Sequence, residues 1–308
     1  MSRTLPENRS TFECIHHAAA WPGTSSGSNG DHGLPDYESE LADFHQAFAQ
    51  ELTALVALLP VSNGKHILDV CCGDGFYLNL LARELKPRSL VGLDANPACL
   101  DLARQTTRGI GDAPILLIEG TLEDYSAEAE FDLVWCAQSL FSLPDPLAAV
   151  RKMSTLVRPG GIVAILENDS LHQAILPLPS RIELAVRQSE HDALAQETRD
   201  PEQYYVGRRL PAILSEAGLT SIEFRTQSID RMAPLDRPLE RFLASYLRRL
   251  ADRVTEKLAP ELAREFHHWF DPLRPSDLLR QPQFAMTWIN VVAWGRRPST
   301  AEIHSTDQ

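Results

Sequence analysis

The chain has 308 residues, 42 acidic against 29 basic side chains, a formal net charge of −13, and 44% hydrophobic residues. That length supplies one large domain, or one domain carrying a substantial insertion. The charge argues against a nucleic-acid ligand, because phosphate backbones are repelled, and no apolar run approaches the roughly 18–20 residues that span a bilayer. The polar N-terminus lacks the apolar core of a signal peptide, so a cytoplasmic protein acting on a small molecule is expected. Five cysteines (Cys14, Cys71, Cys72, Cys99 and Cys136) are odd in number and lack zinc spacing. They read as reduced, buried or site-lining thiols, and no metal site is expected.

In chain order, residues 1–36 are polar and contain the Gly/Ser-rich stretch 23–30, which reads as a mobile segment. Residues 37–59 place Leu41, Phe44, Phe48, Leu52 and Leu55 at helical spacing, an amphipathic helix. Strands are expected near 66–70, 89–93, 114–118, 131–136 and 161–166, with helices near 75–85, 97–107 and 145–156 between them. Such alternation is that of an α/β, doubly wound parallel sheet. It stops after Asp169. Helices are then expected at 180–198 and at 205–217, the latter ended by Gly218, with a strand at Ser221–Gln227. Residues 237–270 are helical with a break at Pro260, and Phe284–Gly295 reads as a last strand.

The densest signal is Ile67-Leu68-Asp69-Val70-Cys71-Cys72-Gly73-Asp74-Gly75-Phe76-Tyr77. An apolar strand ends in an acid, and a small-residue turn feeds a helix whose free N–H groups and positive dipole end face a ligand. A second apolar strand, Leu90 to Leu93, ends in Asp94, which can take two ribose hydroxyls. A dinucleotide site wants G-x-G-x-x-G under a pyrophosphate. Here no third glycine follows, and Asp69 and Asp74 would repel that group. Both acids suit a ligand bearing an ammonium and a sulfonium.

At these residues the chain resembles the class I S-adenosylmethionine-dependent methyltransferases, in a small-molecule group similar to the quinone-biosynthesis C-methyltransferases. Further matches are Glu119-Gly120-Thr121-Leu122-Glu123-Asp124, Phe131 to Leu140, Leu143-Pro144-Asp145 and Arg158-Pro159-Gly160-Gly161, in family order over about residues 60–170. The resemblance implies a Rossmann-like seven-stranded sheet with the last strand antiparallel between the fifth and sixth. It further implies a lid helix at 37–59 and a methyltransferase domain over 60–308, with helical caps inserted at about 170–200 and 230–282. The cofactor implied is S-adenosyl-L-methionine, held by Asp69, Cys71, Gly73, Gly75, Asp94, Ala95, Thr121, Leu122, Cys136 and Gln138. Leu122 is expected on the adenine, and Cys136 and Gln138 near the methionine arm or the acceptor. Two residues depart from the family pattern. Cys71 replaces a glycine, and its Cβ disfavours a positive φ, so a differently shaped turn is expected. Thr121 replaces an aspartate beside the adenine amino group.

As a lid, the N-terminal helix would cover the cofactor with Tyr37, Phe44 and His45, and Tyr37, with Tyr204, Tyr205 and Arg208 near the mouth, is a candidate for binding the methyl acceptor. His172, following Glu167 and Asp169 at the sheet's carboxyl edge, is the candidate general base. The expected reaction is in-line methyl transfer to an oxygen, nitrogen or carbon of a small molecule. Two alternatives stand beside it: a protein or peptide methyltransferase, and a non-catalytic partner subunit of another methyltransferase. Apolar faces over 237–270 would allow a homodimer.

Overall fold

The apolar runs between residues 66 and 168 pair in parallel in the computed structural model, which describes residues 34–127, 129–197, 200–271 and 273–299. The segment read as mobile lies outside them, apart from its last three residues. β1 (His66–Val70), β2 (Ser89–Asp94), β3 (Ile115–Glu119), β4 (Phe131–Ala137) and β5 (Val157–Asn168) stand in the order β3-β2-β1-β4-β5. Leu68 lies opposite both Val91 and Val134, so β1 is central and buried on both faces, as a parallel strand must be. The intervening helices are α1 (Leu34–Ala57) ahead of the sheet, then α2 (Phe76–Leu85), α3 (Pro97–Thr106) and α4 (Pro146–Leu156). Asn96 and Asp145 cap α3 and α4 by accepting N–H bonds from Ala98 and Ala148, each followed by proline at the first helical position.

β8 (Ala285–Arg296) runs antiparallel between β5 and β7 (Thr220–Met232), with Leu166 opposite Val292 and Val291 opposite Thr226. An eighth strand, β6 (Ala174–Leu176), goes beyond the seven expected. It pairs Ala174 with Thr287 on the flank of β8 that β5 leaves at Asn168–Asn290. β6 thus prolongs the β5 column after the 3-10 turn Ser170–His172 interrupts it, and the sheet keeps seven columns.

Three other boundaries differ from the sequence expectation. β5 starts at Val157 rather than 161, because Phe131 pairs with Val157 before the Arg158–Gly161 irregularity and Leu133 with Ile162 after it. β7 continues to Met232, past the expected start of the second insertion. The helix expected over 205–217 is a 3-10 helix, Pro201–Arg209, followed by α6 (Leu210–Glu216). Gly207 lies so close to β5 that a Cβ there would sit 3.2 Å from the Asn168 carbonyl oxygen, which fixes this tighter segment against the strand end.

The two cores lie on opposite faces. One gathers α1, α2 and α7 (Arg237–Val254), with Phe44, Phe48, Phe242 and Trp288 among its buried residues. The other packs α4 and α6 with Leu68, Val70, Val134, Met153 and Val206. The helical insertions hold α5 (Ser180–Glu197) in the first and α7, α8 (Pro260–Trp269) and α9 (Ser276–Leu279) in the second. Phe44, considered for the lid, is fully buried and packs edge-on against Phe242 at 5.2 Å, so it is core.

Candidate methyl-donor and acceptor site

Parallel strands bring their carboxyl ends to one edge, and the turn after β1 lies there beside the end of β2. Asp94 ties that turn to the end of its own strand: Oδ2 accepts from the Gly73 N–H and Oδ1 from the Asn96 N–H, each at 2.9 Å. Cys72 N–H donates to the Leu93 carbonyl at 3.1 Å, tying the turn to β2 a second time. Asp94 is buried at this edge. Ala95 follows it, half-buried.

The turn does not reshape itself around Cys71, contrary to the expectation. Cys71 holds φ +57°, the left-handed region a glycine would take, at a cost of about 1–2 kcal/mol. The tie of Cys72 to β2 imposes this path. Gly73 (φ +52°) has nothing within 4 Å of where a Cβ would stand, an open position above the turn. Gly75 (φ +81°) has a different role: a Cβ there would meet Ala103 Cα at 3.0 Å, so this glycine lets α2 approach α3.

Asp69, next to last in β1, has 1% exposure, and its Oδ2 has no hydrogen-bond partner among the described residues. The same holds for the buried Tyr77 hydroxyl and Trp135 Nε1, whose rings lie 5.8 Å apart. Trp135 is directly opposite Asp69 across β1 and β4. Burial, then the Asp94 and Asp74 carboxylates, push the Asp69 carboxyl well above its ordinary range. A cation beside Asp69 would offset that repulsion, whereas a phosphate would add to it. Asp74 contributes less to a ligand than the sequence suggests, because it faces α1. Its Oδ2 is 3.4 Å from Nδ1 of His45, whose ring stacks on Phe76 at 3.9 Å. Burial raises the Asp74 carboxyl, but His45 and the Phe76 N–H outweigh that and hold it below the usual range. His45 therefore covers the turn from α1, while the Tyr37 side chain lies outside the described residues.

Three expected cofactor contacts prove to have other partners. Cys136 lies inside β4, fully buried among Val70, Val134 and Leu140, because β4 stands between β1 and β5 and is covered on both faces. Leu122 is also in that core. The Thr121 hydroxyl donates to Asp124 Oδ2 at 2.9 Å and accepts from the Asp124 N–H, closing its own turn. Gln138, by contrast, stands at the edge with φ +52°, its Nε2 3.4 Å from Asn168 Oδ1 and its own Oε1 buried without a partner. A non-glycine residue held left-handed at a strand end is strain kept at a site.

Glu167 holds that bend. Its Oε1 accepts from the Leu140 N–H at 2.7 Å, and the Ser139 and Phe141 N–H groups add to the cradle. Burial outweighs these bonds and pushes its carboxyl up to about 8. An acid that ionises at 4.5 when unfolded and at about 8 when folded stabilises fully below pH 4.5, and that contribution is lost as pH rises through 8. Thermal or urea unfolding from pH 5 to 8 should therefore show stability falling by roughly 1.4 kcal/mol per pH unit from this one proton. Glu167→Gln should remove that share of the slope, and an unaltered slope in the variant would refute the assignment.

Beyond β5, Asp169 is buried and its Oδ2 lies 2.6 Å from Nδ1 of His172, whose side chain is 57% exposed. Arg208 completes the group, 3.8 Å from Asp169 Oδ2 and 3.4 Å from His172 Nδ1. The short bond to a carboxylate puts the His172 proton on Nδ1 and leaves Nε2 as an acceptor. Tyr204 is half-buried, its ring 6.1 Å from Phe141. Tyr205, expected at the mouth, is instead interior: its ring lies 6.0 Å from His191, and burial and Glu190 raise its phenol. Sequence reasoning missed Tyr77, Trp135 and Asn290. For Asn290 a signal existed, a lone amide within the apolar run Trp288-Ile289-Asn290-Val291-Val292.

Residues 67–161, from β1 through the start of β5, match the family model described as "Methyltransferase domain". That match lies on a Rossmann-like sheet, in the order β3-β2-β1-β4-β5 with β8 antiparallel beside β5. The chain is 34% identical over 130 residues to the ubiquinone biosynthesis O-methyltransferase of Vibrio parahaemolyticus, covering 42% of this chain and 54% of that protein. It thus spans about half the length of the relatives of that name. It is also 27% identical over 185 residues to the demethylmenaquinone methyltransferase of Lactiplantibacillus plantarum, covering 55% and 76%. Among solved structures, YcgJ of Bacillus subtilis superposes with a TM-score of 0.52 at 15% identity, covering 82% of this chain and all of that one. A phosphoethanolamine N-methyltransferase of Haemonchus contortus in complex with S-adenosyl-L-methionine gives 0.50 at 17%, covering 86% and 59%. At these identities the likeness is one of fold. Among the described residues no helix is long and apolar enough to cross a membrane.

Proposed function

We propose that the protein is an enzyme transferring a methyl group from S-adenosyl-L-methionine to a small-molecule acceptor. The observation that carries this is the buried Asp69 carboxylate with an unpartnered oxygen, crowded by Asp94 and Asp74 beside the open position over Gly73. That is a socket for a cationic ligand. Asp69 takes the ammonium of the methionine end, and Asp94, already positioned by two backbone N–H groups, takes the ribose hydroxyls. Gly73 allows close approach of the turn. When bound, S-adenosylmethionine supplies a methyl group activated by its sulfonium. Relatives named for ubiquinone and menaquinone methylation support a small-molecule acceptor.

The chain's own residues align that acceptor in line with the methyl group, a contribution of up to about 7–11 kcal/mol where geometry is well fixed. His172 Nε2, with its tautomer set by Asp169, accepts the acceptor's proton, and Arg208 pairs with the same Asp169 Oδ2 at 3.8 Å. Tyr204 borders the same opening. The test is calorimetric titration with S-adenosylhomocysteine, with NADH as control. Micromolar binding of the former alone is expected, strengthening as pH rises and Asp69 loses its proton. Binding of neither ligand would favour a non-catalytic partner subunit.

A further inference from the structure

The first face of the sheet carries a row of carboxamides at its carboxyl edge that the cofactor site does not use. Asn168 of β5, Asn290 of β8 and Gln227 of β7 are direct cross-strand partners, so their side chains share one face. Gln138 joins the row from the end of β4 through its Nε2 bond to Asn168 Oδ1 at 3.4 Å. Asn168 Oδ1 also accepts from Trp288 Nε1 at 3.2 Å. Asn290 has 0% exposure, and neither its Oδ1 nor its Nδ2 has a partner among the described residues; Gln138 Oε1 and Gln227 Oε1 are likewise unpartnered. An amide fully buried and unpaired on both atoms costs stability, and a fold retains such a group where something else pairs it.

The surroundings say what that something is. Trp288 lies over the row with Phe48 stacked at 5.9 Å, Phe242 edge-on at 5.4 Å and Tyr246 edge-on at 5.6 Å. No member of the row carries a charge, so a charged acceptor placed here would be desolvated without a counterion. Carboxamides bordered by these buried rings offer both a donor and an acceptor for oxygen within an apolar, ring-lined surround. We propose that Gln138, Asn168 and Asn290 line the acceptor subsite and select an uncharged ring bearing a hydroxyl or carbonyl oxygen. This rests on the methyl-transfer reading above.

The test uses the full chain saturated with S-adenosylhomocysteine, titrated with 4-methylcatechol and 1-naphthol, and with phosphoethanolamine as the charged comparison, followed by Trp fluorescence. The neutral phenols should bind and phosphoethanolamine should not. Asn290→Leu should weaken phenol binding at least tenfold with S-adenosylhomocysteine binding unchanged, while the melting temperature rises because an unpaired buried amide has gone. Gln138→Met provides a second variant, expected to weaken the same probes. Unchanged phenol binding in both variants, preference for phosphoethanolamine, or no phenol binding by the loaded wild type would overturn the subsite. A wild-type protein that binds no S-adenosylhomocysteine would instead overturn the methyl-transfer reading on which the subsite depends.

Discussion

Asp94→Ala should weaken S-adenosylhomocysteine binding by roughly 10²–10⁴-fold in calorimetry, the larger of the expected binding effects. Two charge-assisted bonds to ribose hydroxyls contribute about 1.5–3 kcal/mol each, which converts to that range. A second effect acts in the same direction. The carboxylate also accepts the Gly73 and Asn96 N–H groups, so its loss releases the turn that the ligand must meet already in place. Asp94→Asn separates the two contributions. One amide oxygen can still accept from Gly73 or Asn96, but the amide NH₂ then opposes the other N–H, so only partial recovery is expected. If Asp94→Ala keeps wild-type affinity while folding normally, the ribose assignment fails.

The strand and helix order was legible because the elements are governed by local rules. Asn96-Pro97 and Asp145-Pro146 announce helix starts by capping chemistry, and β1, β2 and β4 are apolar runs of strand length bounded by turns. What sequence reasoning missed depends on neighbours distant in sequence. Cys71 reads as unable to take a left-handed turn until the tie of Cys72 to Leu93 shows that the path is set from β2. Asp74 reads as a ligand carboxylate until α1 brings His45 to it. Cys136 and Tyr205 read as facing a ligand, but a central strand covered on both faces buries the first and a 3-10 segment in place of an α-helix turns the second inward. β6 is three residues long and exists only because β8 offers an unpaired flank. Pairing across the sheet, not local pattern, decides each of these.

His172→Ala should lower kcat for a hydroxyl or phenol acceptor by about 10²–10⁴-fold with S-adenosylhomocysteine affinity unchanged, measured as S-adenosylhomocysteine released per turnover. The prediction rests on geometry: a 2.6 Å bond from Nδ1 to a buried carboxylate fixes the ring and leaves Nε2 open, with the side chain 57% exposed at the carboxyl edge. A histidine serving only the surface would tolerate alanine. Asp169→Asn supplies the sharper contrast. Asparagine can donate to Nδ1, which favours the tautomer protonated on Nε2 and removes the base while preserving the ring's position. Its kcat should fall with that of His172→Ala, and the double variant should be no slower than either single one, because both remove the same function. Arg208→Ala should cost less, since Asp169 still orients the ring. Wild-type turnover in His172→Ala would remove the base from the mechanism and leave alignment of the acceptor as the chain's contribution. Additive losses in the double variant would assign Asp169 to the structure of the Ser170–His172 turn, where its Oδ1 also accepts the Leu171 N–H at 3.1 Å.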